Sequence, residues 1–248
     1  MPRGKRKVVG RCKLCRTIAE LRYSHIIPEF MYKDLYGPTH TIHLASTKDW
    51  GKSELLQKGA REHLLCEYCE QKFSKYEKHA ADVWFQNVEI LSHGRLGFSG
   101  RVDYKLFKLF QLSILWRMDV TSMNAFNRLH LGKHERIIRR MLLRDDPGKY
   151  DEYGCLIVRP NEYQNIYKEL ILHGFTARLS GVDIPVLAMG SVLWIYCVSR
   201  APIDPRQAQC FLQPDGEIRV LMCDPGIGKQ IVNHFVDSIR IHKARIPS

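Results

Sequence analysis

The chain has 248 residues, of which 45% are hydrophobic and 26% are charged, and its formal net charge is +12. The composition is that of a globular protein and excludes a low-complexity chain, while the length allows one large domain or two small ones. The excess of positive charge points to an anionic partner, most often nucleic acid, although a basic protein without such a partner stays open.

Basic residues dominate the first 16 positions, which contain no acidic residue. The stretch predicts an arm that lies along a phosphate backbone, or a solvated tail. No apolar segment of the signal-peptide type follows it, and the longest apolar stretch, residues 186–198, is too short to span a bilayer. We therefore expect a cytoplasmic protein that does not contact membranes.

Four of the eight cysteines form two pairs with the same spacing, Cys12-x-x-Cys15 and Cys66-x-x-Cys69. A disulfide framework is not expected in the cytoplasm. Each pair can form a tight knuckle that directs two thiolates at one point, so the pairs together predict a tetrahedral, structural zinc site. The remaining cysteines lie in apolar, strand-like segments and are expected to be small buried residues: Cys155, Cys197, Cys210 and Cys223.

The region around the two pairs predicts two strands and a helix. The first strand covers 19–27 and ends near His25, the second covers 41–45, and the helix covers 64–86. The polar stretch over 46–63 predicts a loop or a partly ordered insertion.

The middle of the chain predicts helices. Residues 94–101 are glycine-rich and indicate a linker or turn. Residues 103–120 show helical spacing of apolar residues and predict an amphipathic helix. A second helix over 132–148 is stopped by Pro147 and Gly148, and its arginines face either nucleic acid or solvent: Arg136, Arg139 and Arg140.

Beyond residue 150 the pattern indicates strands at 155–160, 185–200 and 210–224. The last of these is predicted to be a hairpin that turns at Asp215-Gly216. A final helix is expected over 226–242. This part of the chain therefore predicts a mostly antiparallel sheet.

The order of motifs in the N-terminal third is informative. A cysteine pair is followed by a strand, Ser-His-Ile-Ile-Pro (24–28), a long loop, Leu-Leu-Cys-Glu-Tyr-Cys-Glu (64–70) and a helix. In this order, residues 12–80 resemble the HNH (His-Me finger) endonucleases, specifically the branch in which a four-cysteine zinc braces a ββα-metal site. The resemblance implies a metal-dependent nuclease.

By position in the motif, His25 matches the general base of that family. Hydrolysis of a phosphodiester needs a water molecule deprotonated near neutral pH, and imidazole has a suitable pKa. A divalent metal must also stabilise the charge that develops on the phosphate. Glu70 matches a metal-binding His or Asn of the family, and a carboxylate suits Mg²⁺ or Mn²⁺.

Several positions depart from the family pattern. Ser24 stands where a metal-binding Asp or His is common, and Arg61 stands where the family has a loop asparagine. Glu77, two helical turns beyond Glu70, either assists the metal or pairs with a Lys or Arg. The span between the general base and the second cysteine pair is also long, so other histidines stay open as members of the site: His40, His43 and His63.

The predicted fold class is α+β. We expect a zinc-braced ββα-metal unit of treble-clef-like form with its basic arm over 1–93. A helical linking and packing region follows over 94–149, and an α+β region of unknown role, built on the mostly antiparallel sheet, covers 150–248.

The expected function is a metal-dependent endonuclease that hydrolyses DNA, with structural Zn²⁺ and catalytic Mg²⁺ or Mn²⁺. RNA is a second candidate substrate, and an activating protein partner or a homo-oligomer stays open. The resemblance also implies a role in bacterial antiviral (phage) defence. The alternative is a non-catalytic, zinc-stabilised nucleic-acid-binding or adaptor protein, which Ser24 and Arg61 favour.

Overall fold

The computed structural model describes residues 7–35, 41–44, 54–57, 59–86, 98–126, 129–160, 171–179, 182–189, 192–198 and 208–223. These ranges contain three α-helices and eleven strands, and the strands form three sheets. The predicted α+β class is therefore confirmed.

A three-stranded antiparallel sheet and the helix that follows it build the N-terminal part. Strands β1 (Val9–Arg11), β2 (Ile18–His25) and β5 (Arg61–Cys66) lie in the order β1-β2-β5. Helix α1 (Glu67–Gln86) begins directly after β5. The predictions of a strand ending near His25 and of a helix at the second cysteine pair are confirmed.

A separate antiparallel pair is formed by β3 (Thr41–Leu44) and β4 (Glu54–Gln57). The strand predicted over 41–45 is thus present. The loop predicted over 46–63 is wrong in part, because β4 and the first residues of β5 lie within it. Strand β5 pairs with the distant strand β2, and a local polar composition does not reveal the pairing of either strand.

Helix α2 (Tyr104–Val120) is buried on every side. The Asp103 carboxylate caps its N-terminus by accepting a hydrogen bond from the Leu106 N–H at 2.8 Å. Twelve consecutive residues from Phe107 to Met118 are buried, so the predicted amphipathic character is wrong. The helix packs between α1 and the large sheet, and it also buries polar side chains: Lys108, Gln111, Ser113 and Arg117.

Helix α3 (Lys133–Arg144) ends earlier than predicted. Asp145 adopts the left-handed conformation, with φ of 53°, and its N–H donates to the carbonyl of Met141, so the helix stops before Pro147. From α1, Lys72 Nζ donates to the carbonyl of Leu143 at 2.7 Å and contacts Asp145 at 2.9 Å. A cation at these last carbonyls stabilises the helix end and joins α3 to α1.

The three arginines of α3 predicted to face nucleic acid or solvent differ in their surroundings. Arg136 and Arg140 are exposed. Arg139 instead donates from Nη1 to the carbonyl of Leu14 at 2.9 Å, which attaches α3 to the first cysteine pair.

A six-stranded sheet contains the C-terminal strands and one strand from the middle of the chain. The strand order is β6-β11-β7-β10-β9-β8, and every pair is antiparallel except β7 with β11. The mostly antiparallel sheet is therefore confirmed. The strands are β6 (Phe98–Arg101), β7 (Cys155–Pro160), β8 (Ile171–Leu179), β9 (Val182–Met189), β10 (Val192–Tyr196) and β11 (Glu217–Cys223).

Three predictions for this sheet need correction. Residues 98–101 form β6 and not a linker, and the segment over 185–200 divides into β9 and β10. The turn at Asp215-Gly216 exists, with φ of 86° at Gly216. However, residues 208–213 form no strand, and β11 pairs with β6 and β7, so the predicted hairpin is wrong.

Two predictions on the organisation of the chain are not tested by the helices and strands described above. The helix expected over 226–242 lies outside the described residues. The division into 1–93, 94–149 and 150–248 stays a prediction.

Lys108 gives the stability of this core an expected dependence on pH. Its side chain is 1% exposed, and Nζ donates to the carbonyl of Tyr153 at 3.0 Å. Burial lowers the pKa of Lys108 from 10.5 to about 8, against the opposing effect of nearby Cys155, Asp151, Cys197 and Glu152. The unfolded chain therefore keeps this proton to a higher pH than the folded protein does.

We compare the wild type with a Lys108→Met variant. Well below pH 8, Lys108 is protonated in both states and the difference in unfolding free energy is constant. As the pH rises from about 7 to about 9.5, the wild type should gain about 2 kcal/mol relative to the variant. Urea unfolding at a series of pH values measures this difference, and two parallel curves would contradict the prediction.

Candidate functional site

The four cysteines of the two pairs meet at one point. Their Sγ atoms all lie within 4.8 Å of one another, and those of Cys15 and Cys66 are 3.7 Å apart. Four thiolates bound tetrahedrally at about 2.3 Å from zinc lie about 3.8 Å from each other. The cluster therefore has the ligands and the size of a structural zinc site.

Local backbone hydrogen bonds form the first knuckle. The N–H of Arg16 donates to the carbonyl of Cys12 at 2.9 Å, and Arg16 takes a left-handed φ of 68°. The N–H of Lys13 donates to the carbonyl of Leu64 at 3.0 Å, which holds the knuckle against β5. Backbone hydrogen bonds thus hold Cys12 and Cys15 in place without the help of a metal.

The second pair lies where β5 becomes α1. Cys66 is the last residue of the strand, and Cys69 lies in the first turn of the helix. The N–H of Cys66 donates to Sγ of Cys12 at 3.3 Å. Hydrogen bonds from the Cys69 thiol and from this N–H lower the pKa of Cys12, whereas the hydrogen bond with Cys12 raises the pKa of Cys69 and burial raises that of Cys66. The cluster therefore favours one thiolate, at Cys12, and a bound metal must displace the protons of the other thiols.

The cysteines outside the cluster differ in exposure. Cys155 is buried, and burial raises the pKa of its thiol. Cys197 and Cys210 are only half-buried, so the expectation of full burial is wrong for them. Cys197 directly follows β10, and Cys210 lies in a turn before β11. The side chain of Cys223 lies outside the described residues.

His25 stands at the end of β2, opposite Arg61 of β5. Its side chain is 20% exposed, and Nε2 lies 3.8 Å from Oε2 of Glu29. Its carbonyl accepts a hydrogen bond from Nη1 of Arg117 at 2.8 Å. The backbone of His25 is therefore held from inside the protein, while its ring has access to solvent.

Ser24 and Glu70 lie in direct contact on the side of β2 that faces α1. Ser24 is fully buried, and its Oγ donates to Oε2 of Glu70 at 2.5 Å. Burial raises the pKa of Glu70, against the hydrogen bond from Ser24 and the charge of Arg117. The two positions that the resemblance assigns to a metal thus meet in the fold, and they offer hard oxygen donors of the kind that Mg²⁺ prefers.

A buried guanidinium lies behind this pair. Arg117 is 1% exposed, and its Nη1 donates to Oε1 of Glu77 at 2.7 Å, while its Nε donates to the carbonyl of Ser113 at 3.2 Å. Its Cζ lies 5.3 Å from the ring centroid of Phe73. Of the two roles left open for Glu77, the structure shows pairing with an arginine.

Sequence reasoning did not identify Arg117 as part of the site. The available signal was a charged residue inside an otherwise apolar run, Leu115-Trp116-Arg117-Met118. A buried charge in such a position requires a partner, but the chain alone does not indicate which partner is near.

The other histidines considered for the site are placed only in part. His63 is exposed on β5, and its Nδ1 lies 3.2 Å from the carbonyl oxygen of Leu21. His43 lies on β3, where the backbone is described and the side chain is not. His40 lies outside the described residues.

No protein-family model matches the sequence, and neither a curated protein nor a solved structure is significantly similar to it. The HNH resemblance therefore stays a prediction that rests on the motifs. Within the part of the chain that the structure describes, no helix is long and apolar enough to cross a membrane.

Proposed function

We propose that this protein is a metal-dependent endonuclease that hydrolyses phosphodiester bonds of DNA, with His25 as the general base. One observation carries the proposal: His25 ends β2, and the two neighbouring candidate metal positions, Ser24 and Glu70, are in contact at 2.5 Å. Antiparallel strands β2 and β5 followed by α1 give the order strand, strand, helix. With the cysteine cluster at the base, this order supports a treble-clef-like ββα-metal unit.

The role of His25 follows from its position. Its partly exposed imidazole accepts the proton of the water that attacks the phosphate, and the carboxylate of Glu29, 3.8 Å from Nε2, stabilises the imidazolium that results. Arg117 holds the carbonyl of His25 and so fixes the end of the strand. A Mg²⁺ or Mn²⁺ ion held by Glu70 and Ser24 would supply charge stabilisation at the phosphate.

The zinc has a structural role in this proposal. All four positions of a tetrahedral ion are filled by thiolates, which leaves no position for water or substrate. We therefore assign hydrolysis to the site around His25 and not to the zinc.

Replacing His25 by alanine should reduce cleavage of supercoiled plasmid by about 10²- to 10⁴-fold, the range for loss of a general base. The assay contains Mg²⁺ or Mn²⁺ and follows conversion to nicked or linear DNA on gels, with an RNA substrate in parallel. Zinc content must equal that of the wild type. His130→Ala, which removes an exposed histidine elsewhere, is the matched control and should cleave normally. Full activity of His25→Ala would remove this residue from the mechanism.

A second function, a non-catalytic zinc-stabilised nucleic-acid-binding or adaptor protein, is favoured by one observation. The charge of Arg117 already acts on the Glu70 carboxylate, and the neutral Ser24 hydroxyl occupies one of its oxygens. A protein that binds DNA but cleaves it with neither metal would support this alternative.

A further inference from the structure

The outer face of the β2–β5 pair, on the side away from α1, carries three aromatic or basic side chains. In an antiparallel pair, opposite residues share a face, and Tyr23 lies opposite His63. The ring of Tyr23 also contacts the guanidinium of Arg61. We call these three residues the outer-face patch, and His25 lies next to it as the last residue of β2.

The inner face of the same strands is occupied by the protein itself. Ser24 is buried against Glu70. Its cross-strand neighbour Glu62 accepts hydrogen bonds from the hydroxyls of Thr121 and Ser122, both at 2.6 Å, at the end of α2. The outer-face patch therefore lies on the side of the strands that these contacts leave open.

Tyr23 presents an aromatic ring at this surface. Its side chain is 57% exposed, and the strand register shifts between Arg22 and Tyr23. Such irregularities re-aim side chains and are common beside functional sites. The ring centroid lies 5.0 Å from that of His63, and Cζ of Arg61 lies 5.9 Å from it. The neighbouring imidazole and guanidinium thus support the phenol ring at the surface.

These contacts fit an unpaired nucleobase and its phosphate. An aromatic ring stacks on the face of any base, and each stacked base contributes about 1–3 kcal/mol. A base in a duplex has both faces covered by its neighbours, so an isolated tyrosine beside a guanidinium suits a single strand. The net charge of +12 attracts the phosphate backbone. Glu29, which faces His25 at 3.8 Å, is the acidic group that we find next to the patch in the described chain.

We propose that the outer-face patch binds single-stranded DNA, with an unpaired base stacked on Tyr23 and its phosphate beside Arg61. This inference rests on the proposed nuclease function, because stacking there would position the neighbouring phosphodiester at His25. Tyr23 is thus assigned as a positioning residue, and the substrate class becomes DNA with unpaired bases.

The test is binding of a short fluorescent single-stranded oligonucleotide by anisotropy, without added Mg²⁺ or Mn²⁺. Tyr23→Ala should weaken binding by about 5- to 150-fold, while Tyr23→Phe, which keeps the ring, should stay within about twofold of the wild type. Tyr68→Ala removes a tyrosine that is 70% exposed on α1 and should bind as the wild type does. Binding to an oligonucleotide of abasic sites should be weak and insensitive to Tyr23→Ala.

Two results would overturn the inference. One is wild-type affinity of Tyr23→Ala for the single strand, and the other is an equal loss of affinity for duplex DNA, which indicates a contact with the backbone. The binding assay does not depend on cleavage. If Tyr23→Ala loses affinity while no metal supports cleavage, the stacking surface stands and the nuclease proposal fails. If the wild type cleaves and Tyr23→Ala binds normally, the nuclease proposal stands and the stacking surface is wrong.

Discussion

Removal of the metal from the four-cysteine cluster should cost this protein most of its folding free energy. Structural zinc binding contributes about 10–16 kcal/mol in small zinc domains at neutral pH, which matches or exceeds the total stability of most domains. Three of the ligands, Cys12, Cys66 and Cys69, are buried. Without the ion, Cys66 and Cys69 would take up protons, because burial raises the pKa of Cys66 and the hydrogen bond with Cys12 raises that of Cys69. The bonds that join the two cysteine pairs would then be lost.

The measurement is a chelator titration followed by circular dichroism, with released zinc determined by a colorimetric dye. We expect one zinc per chain, and loss of helical signal in step with zinc release. Cys66→Ser should behave as the chelated protein does. Cys210→Ser, outside the cluster, should keep both zinc and stability. A purified protein that is folded and free of zinc would contradict the assignment.

Replacement of Arg117 should have the second largest effect on stability. Arg117→Ala should lower the unfolding free energy of the zinc-loaded protein by about 3–5 kcal/mol, because Glu77 is left partly buried without its cation. The carbonyls of His25 and Ser113 also lose a donor. Arg117→Lys should restore little, since one ammonium cannot reach these three partners and cover the ring of Phe73.

Urea unfolding at fixed zinc concentration measures this effect. The control is a second substitution, Glu77→Gln, made in the Arg117→Ala background. It removes the orphaned charge and should recover part of the loss, whereas Glu77→Gln alone should destabilise the protein. A cost below about 1 kcal/mol for Arg117→Ala would show that the buried pair contributes little.

The parts of the structure that could be predicted are those encoded by local spacing. The matched cysteine pairs place four ligands without any knowledge of the rest of the fold, and helix α1 begins where the second pair predicts. Strand partners are set by contacts between distant segments. This explains why residues 98–101, predicted as a linker or turn, form β6, and why β11 pairs with β6 and β7 and forms no hairpin.

The candidate site shows the same difference between what local spacing predicts and what depends on distant contacts. The motif indicates His25 and Glu70, and it also marks Ser24 as unusual. The hydrogen bond between Ser24 and Glu70, and the guanidinium of Arg117 behind it, depend on how α1 packs against β2 and α2. The sequence motif alone does not predict how these elements pack.

The burial of α2 has a consequence for how the protein can be divided. Phe73 on α1 packs edge-on against Trp116, with ring centroids 6.1 Å apart, and Arg117 binds the carbonyl of His25. A fragment cut at residue 93 would keep every cysteine ligand and every residue of the HNH-like motif. It would nevertheless expose an apolar surface of α1 and release the end of the strand that carries the proposed base. We therefore expect the smallest unit that folds alone to be larger than the HNH-like motif.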